Sequence, residues 1–214
     1  MRRRITLSRA TLHVALDSIA AQRGPRDVVL DLRADAFGHG TVEVQAAARS
    51  HGFDRFAHDD VNMYRDAVDA DVTAALYGTA PDAAPVMTVT GEVISCKRVP
   101  AGSPVSYGYT YRVASDSYLA LVGLGYADGV PRSASNKAHV LLAGAQHVLA
   151  GRVAMDQFMV DLGDERVVSG DDVILWGAQP GAPSPGEWAA ASGRSPLELS
   201  AGLGARFQRV WVTA

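Results

Sequence analysis

The chain has 214 residues, a net charge of −3 and one cysteine, with 48% hydrophobic and 20% charged residues. That balance excludes a disordered chain and offers no electrostatic footing for nucleic acid or an anionic membrane as partner. One cysteine excludes an internal disulfide, and no apolar run reaches the ~20 residues of a membrane helix, so a cytoplasmic protein is expected.

In chain order, the basic run Arg2-Arg3-Arg4 reads as a solvated end. Ser8 is a candidate N-cap for a helix whose apolar stripe is Leu12, Ala15, Leu16, Ile19 and Ala20, and Gly24-Pro25 ends it. Asp27–Leu32 (DVVLDL) is a continuous apolar run, the pattern of a strand covered on both faces. Gly38-His39-Gly40 turns into a second helix with Thr41 as candidate cap. Phe53–Ala57 suits a second strand and Val61–Val68 another helix, followed by the linker-like GTAPDAAP at Gly78–Pro85.

From Val86 the pattern becomes all-β. Candidate strands are Val86–Val99, Val105–Tyr111, Tyr118–Gly125, Ala138–Leu142, Gln146–Val153, Phe158–Leu162 and Asp172–Trp176. Two short helices are expected at Trp188–Ala191 and Pro196–Ala201, then a last strand at Phe207–Val212. Ala154-Met155-Asp156-Gln157 interrupts two apolar alternations. It suits a tight polar corner, and equally a backbone N–H beside an Asp that holds a carboxylate. His51 and His58 stand seven residues apart with no third ligand nearby, so no metal site is expected. No Ser–His–Asp or Cys–His signature is present.

Four motifs then stand in order: RADAFGHG (Arg33–Gly40), PVSYGYTY (Pro104–Tyr111), GYADGVPR (Gly125–Arg132) and GRVAMDQFMVDL (Gly151–Leu162). The last three resemble the C-terminal β-domain of alanine racemase. The first resembles that family's cofactor-lysine motif, K-A-[DN]-A-Y-G-H-G. The resemblance covers Pro85–Ala214 and Ile5 to about Arg55. It implies an α+β fold: a C-terminal β-barrel domain (residues 85–214) and an N-terminal α/β remnant of a TIM barrel (residues 1–84). A whole (β/α)₈ barrel needs ~200 residues, so most of it is missing, with an internal loss near Asp59–Asp71.

The resemblance also implies site residues. The cofactor lysine maps onto Arg33, which stays protonated and is a poor nucleophile, so it forms no imine and takes no proton. Arg33 suits an anion held bidentately, or a structural ion pair with Asp31 or Asp35. With no lysine there, and the family's phosphate-binding loop in the missing barrel, no pyridoxal phosphate and no metal are expected. The family's tyrosine base, supplied by the partner subunit, maps onto Tyr107. Tyr126, Met155 and Asp156 map onto substrate-facing positions, and His39 and Asp35 are carried as substrate contacts, His39 equally as a residue that fixes its turn.

Three functions follow as expectations. The first is a cofactor-independent isomerase or cyclase acting on a small molecule, with Tyr107 and Arg33 as working pair in a site shared by a homodimer. The second is a non-catalytic, ligand-binding or dimerising relic. The third, residual racemisation with pyridoxal phosphate, needs a lysine that the motif lacks. A filled mouth around Tyr107 and Met155 favours the relic; an open cavity with convergent polar groups favours an enzyme.

Overall fold

The C-terminal half is built on one long strand. β4 runs from Met87 to Val99, and its first seven residues alternate buried and half-buried, as MTVTGEV requires of a half-buried strand. In the computed structural model, which describes residues 1–60, 64, 67–81 and 83–213, β4 carries three partners. Its first half pairs with β1 (Arg4–Ser8) and β11 (Asp172–Trp176), and its second half with β7 (Ser117–Val122). A register shift between Val93 and Ser95 separates the halves, as a bulge does when a strand turns a barrel corner.

The remaining barrel strands are β8 (His139–Leu142), β9 (Ala145–Ala150) and β10 (Phe158–Asp161). The order β11-β8-β9-β10-β7-β4 closes on itself through the β4–β11 pairing, giving a six-stranded barrel. β12 (Gln208–Val212) pairs in parallel with β1 outside the ring. Helices α5 (Pro185–Ser192) and α6 (Pro196–Ala201) each open with a Ser-x-x-Glu capping box and proline at the first position.

The N-terminal half has its own core. It holds α1 (Arg9–Arg23), capped by Ser8, and β2 (Leu30–Asp31) parallel to β3 (Phe56–Ala57). It also holds a turn α2 (Arg33–Gly38) and helices α3 (Thr41–Ser50) and α4 (Ala70–Leu76). Leu12, Leu16, Leu30, Val44 and Phe53 pack together there, while Ile5 and Leu7 pack into the barrel core. The fold is α+β.

Four expectations change. Arg4–Ser8 lies in the barrel sheet, so the division at residue 84 does not hold in space for the first strand. The arginine run is not a loose end: Arg2 pairs with Asp172, and Arg3 reaches the buried Asp128. Val105–Tyr111 is not one strand. Left-handed backbone at Ser106, Gly108 and Tyr109 breaks it into β5 (Pro104–Val105) and β6 (Tyr111–Arg112), which pair with each other. Among the described residues the run Asp27–Leu32 yields three paired residues, Leu30 and Asp31 beside β3 and Val29 in an isolated parallel bridge with Val68. Most of the helix expected at Val61–Val68 falls outside the described residues, as does part of the stretch near Asp59–Asp71.

Candidate functional site

The end of β2 is closed by its own charges. Arg33 Nε donates to Asp31 Oδ1 at 2.8 Å and a terminal amine to Oδ2, a bidentate pair on a buried carboxylate. That hydrogen bond, ahead of the cost of burial, raises the Arg33 pKa. Of the two readings left open by the sequence, the guanidinium makes the structural pair with Asp31. Ala34 N donates to Asp59 at 2.8 Å, and Thr41 N to Asp35 at 2.8 Å. Asp35 therefore caps α3, and the expected cap, Thr41, is instead the donor.

His39 is fully enclosed: Nδ1 donates to the Ala36 carbonyl at 2.9 Å, and burial pushes its pKa down to about 4. Neither Asp35 nor His39 lines the cavity of about 480 Å³ beside Arg33, whose walls include Phe37, Thr73, Leu197 and Glu198. Both are engaged by hydrogen bonds in the turn between β2 and α3.

That turn is the feature that residue propensities did not reveal. Ala34, Asp35, Ala36 and Phe37 all have φ between 52° and 54°, one turn of left-handed helix made without glycine. Such backbone costs roughly 1–2 kcal/mol per L-residue and persists only where the surroundings over-determine it. Here the holders are Asp35 on Thr41, Asp59 on Ala34, His39 on Ala36, and Arg209 Nε on the Gly38 carbonyl at 3.2 Å.

The second cluster lies at one end of the barrel domain. Tyr107 sits in the β5–β6 hairpin, 43% exposed, its hydroxyl donating to the Val153 carbonyl at 3.1 Å. The guanidinium carbons of Arg132 and Arg152 lie 5.3 and 5.8 Å from its ring centroid. Beside it is a cavity of about 250 Å³ lined by residues including Lys97, Tyr107, Leu121, Gln157 and Met159.

The corner expected at Ala154–Gln157 is present and packs on the Gly125–Asp128 turn. Tyr126 N donates to the Ala154 carbonyl at 3.0 Å and Ala127 N to that of Met155 at 2.9 Å. A Cβ on Gly125 would stand 2.3 Å from the Met155 carbonyl oxygen, so this contact needs glycine. Tyr126 and Met155 are exposed, while Asp156 pairs with Arg206 at 2.8 Å. Arg206 also approaches Asp128 Oδ1 at 2.9 Å, as does Arg3 Nε at 2.9 Å. Both approaches pair charge on an atom whose hydrogen-bond alignment is not satisfied.

The chain thus brings Tyr107, Tyr126, Met155 and Asp156 together and holds Arg33, Asp35 and His39 elsewhere; no residue lines both cavities. Sequence reasoning missed Arg132, Arg152 and Lys97 around Tyr107. The first two carried a signal, since each stands inside a motif, GYADGVPR or GRVAMDQF.

A family model for the alanine racemase C-terminal domain matches residues 86–211. The chain belongs to the alanine racemase family. Alanine racemase from Salinispora arenicola is 40% identical over 188 residues, covering 78% of this chain and 50% of that protein. The one from Frankia casuarinae is 47% identical over 129 residues, covering 60% of this chain and 34% of that protein. The chain therefore spans about a third to a half of the length of these relatives. Alanine racemase from a D-cycloserine-producing Streptomyces lavendulae has the same fold, with a TM-score of 0.81 at 22% identity over 100% of this chain and 98% of that one. A Bartonella henselae alanine racemase with covalently bound pyridoxal phosphate superposes with a TM-score of 0.83 at 17% identity over 99% of this chain and 100% of that one.

Among the described residues, the end of β2 offers that cofactor no lysine and no free amide. The motif position for an imine-forming lysine is Arg33, engaged by Asp31. The only lysines, Lys97 and Lys137, are exposed on the barrel domain. At the end of β2 the amides of Arg33, Ala34 and Thr41 already serve Asp31, Asp59 and Asp35, so a phosphate there would meet three carboxylates. Among the described residues no helix is long and apolar enough to cross a membrane.

Proposed function

We propose that this chain is a cofactor-independent isomerase or cyclase, cytoplasmic and homodimeric, acting on a small anionic molecule at the Tyr107 end of the barrel. The observation that carries this reading is the setting of Tyr107: an accessible phenol with two guanidinium groups close to its ring, lining a cavity, in a chain whose lysine position is an ion-paired arginine. Arg132 and Arg152 supply positive charge for a carboxylate or enolate oxygen. To act as base, Tyr107 first gives up its own proton to solvent and with it the hydrogen bond to the Val153 carbonyl; the phenolate then takes a proton from an adjacent carbon and returns it to the other face or to a neighbouring carbon. Arg33, expected as its partner, is left with a structural role in this scheme.

The test is proton exchange in D₂O. A panel of small carboxylates and β-dicarbonyl compounds incubated with the protein is followed by proton NMR. Deuterium enters one carbon-bound position with native protein, and Tyr107→Phe slows this at least ~100-fold. Exchange that survives Tyr107→Phe sinks the assignment. In parallel, an imine absorbance band on adding pyridoxal phosphate, lost on replacing Lys97 or Lys137, would restore a cofactor-dependent racemase.

A second reading, a non-catalytic dimerising relic, is favoured by the Arg33–Asp31 closure and by the structural use of Asp35 and His39. It predicts no exchange with any compound, while light scattering still reports a dimer.

A further inference from the structure

We propose that the cavity beside Tyr107 takes carboxylates with a hydrocarbon body, and that Lys97 anchors the carboxylate. Binding is set by the cavity alone; that the bound acid is a substrate rests on the reading of Tyr107 as a base.

The cavity lies on the outside of the barrel. Along β7, Ala120 and Val122 belong to the barrel core, so Leu119 and Leu121 stand on the opposite face. Along β10, Phe158 and Val160 belong to that core, which leaves Met159 on the outer face. Register sets Leu119 beside Lys97 of β4, and Leu121 beside Met159. The β5–β6 hairpin covers part of this face: Val105 and Leu119 share a small core against which Val99, Tyr111 and Met159 pack. Lys97, Leu121 and Met159 on the sheet and Tyr107 on the hairpin then enclose the cavity.

Among the described residues no carboxylate lines it, and its one charged side chain is the Lys97 ammonium. Arg98, next in sequence, pairs with Asp116, whereas Lys97 has no ion pair among the described residues. The hydroxyls of Ser106 and Tyr107 donate to the carbonyls of Arg152 and Val153, which leaves Lys97 and the Gln157 amide to meet a polar group. A single ammonium matches a monoanion, which favours a carboxylate over a phosphate dianion. Leu121 and Met159 are half-buried, so a methylene chain laid on them takes apolar surface out of water on both sides. The volume of about 250 Å³ is the share of about eight water molecules, which suits a chain of about eight carbons.

The experiment is an NMR titration of the full-length protein with butyrate, hexanoate, octanoate and decanoate. The reporters are the backbone amides of Leu121 and Met159 and the side-chain amide of Gln157. Binding is saturable, tightens by up to about fourfold per added methylene, and levels off near about eight carbons when the cavity is full. Lys97→Met weakens octanoate about three- to fivefold, the upper range for an exposed ion pair, and Lys97→Arg restores it. Octanol, of equal length and uncharged, binds alike to native protein and to Lys97→Met. Leu121→Asn weakens octanoate and octanol together, and circular dichroism shows that each variant folds. The proposal is overturned if octanoate binds no tighter than butyrate, if the gain continues undiminished to decanoate, or if Lys97→Met binds octanoate as native protein does. Deuterium exchange separates this outcome from the fate of Tyr107. Octanoate binding in the expected pattern with no exchange in the panel supports the cavity and removes Tyr107 as a base. Exchange on short carboxylates, indifferent to chain length and to Lys97, keeps Tyr107 and overturns the cavity.

Discussion

His39 shows how a residue read as a candidate ligand contact became part of the scaffold. Its ring is enclosed against Tyr77, with centroids 4.7 Å apart, and burial holds it neutral with a pKa of about 4 against 6.5. Because the folded value is depressed, the unfolded chain binds the proton first. The stability tied to a neutral His39 is complete above pH ~6.5 and is lost as pH falls toward 4. A displacement of that size corresponds to about 3 kcal/mol at most. Urea midpoints measured across this window should fall more steeply for native protein than for His39→Gln. Equal slopes would mean that the ring is reached by water.

At the scale of elements, the left-handed turn after β2 is the most expensive local structure in the chain. Ala34 and Asp35 are its exposed members; Ala34 has φ of 53°, and its methyl group is not needed for packing. Glycine visits this region freely, so Ala34→Gly should raise stability by up to ~1 kcal/mol, read as a higher melting temperature. A fall would show that glycine's extra freedom in the unfolded chain outweighs the relieved strain. The turn is held from a distance by Asp59 on the Ala34 amide and Arg209 on the Gly38 carbonyl, and locally by His39 on the Ala36 carbonyl and Asp35 on the Thr41 amide. The β5–β6 hairpin follows the same logic: Ser106 donates to the Arg152 carbonyl at 2.7 Å, and the left-handed backbone on either side presents Tyr107 outward.

At the scale of the whole molecule, buried charge ties the chain's two ends to the corner. Asp128, with no exposed surface, answers Arg3 from before β1 and Arg206 from before β12, and Arg206 continues to Asp156. Removing the charge with Asp128→Asn leaves two guanidinium groups facing each other. The cost should be about 3 kcal/mol, the low end for a broken buried pair because Arg206 is 40% exposed. Loss of less than ~1 kcal/mol in urea unfolding would show that water already screens the cluster. Because the same network holds the Met155–Asp156 corner, exchange at the Tyr107 site should weaken along with stability in this variant.

What the sequence determined by itself was local or carried by motif. The cap at Ser8, most barrel strands and the corner at Ala154–Gln157 follow from neighbouring residues, because hydrogen bonds and side-chain alternation act over a few positions. Family membership followed from four short motifs in order. Tertiary structure alone decided the rest. β1 joins a strand some eighty positions later, four L-residues are held left-handed, and Arg33 is matched to Asp31 instead of to Tyr107. His51 found its partners on α1, in His13 and Asp17, and not at His58. These outcomes rest on which distant atoms become neighbours, and propensity or spacing along a chain carries no information about that.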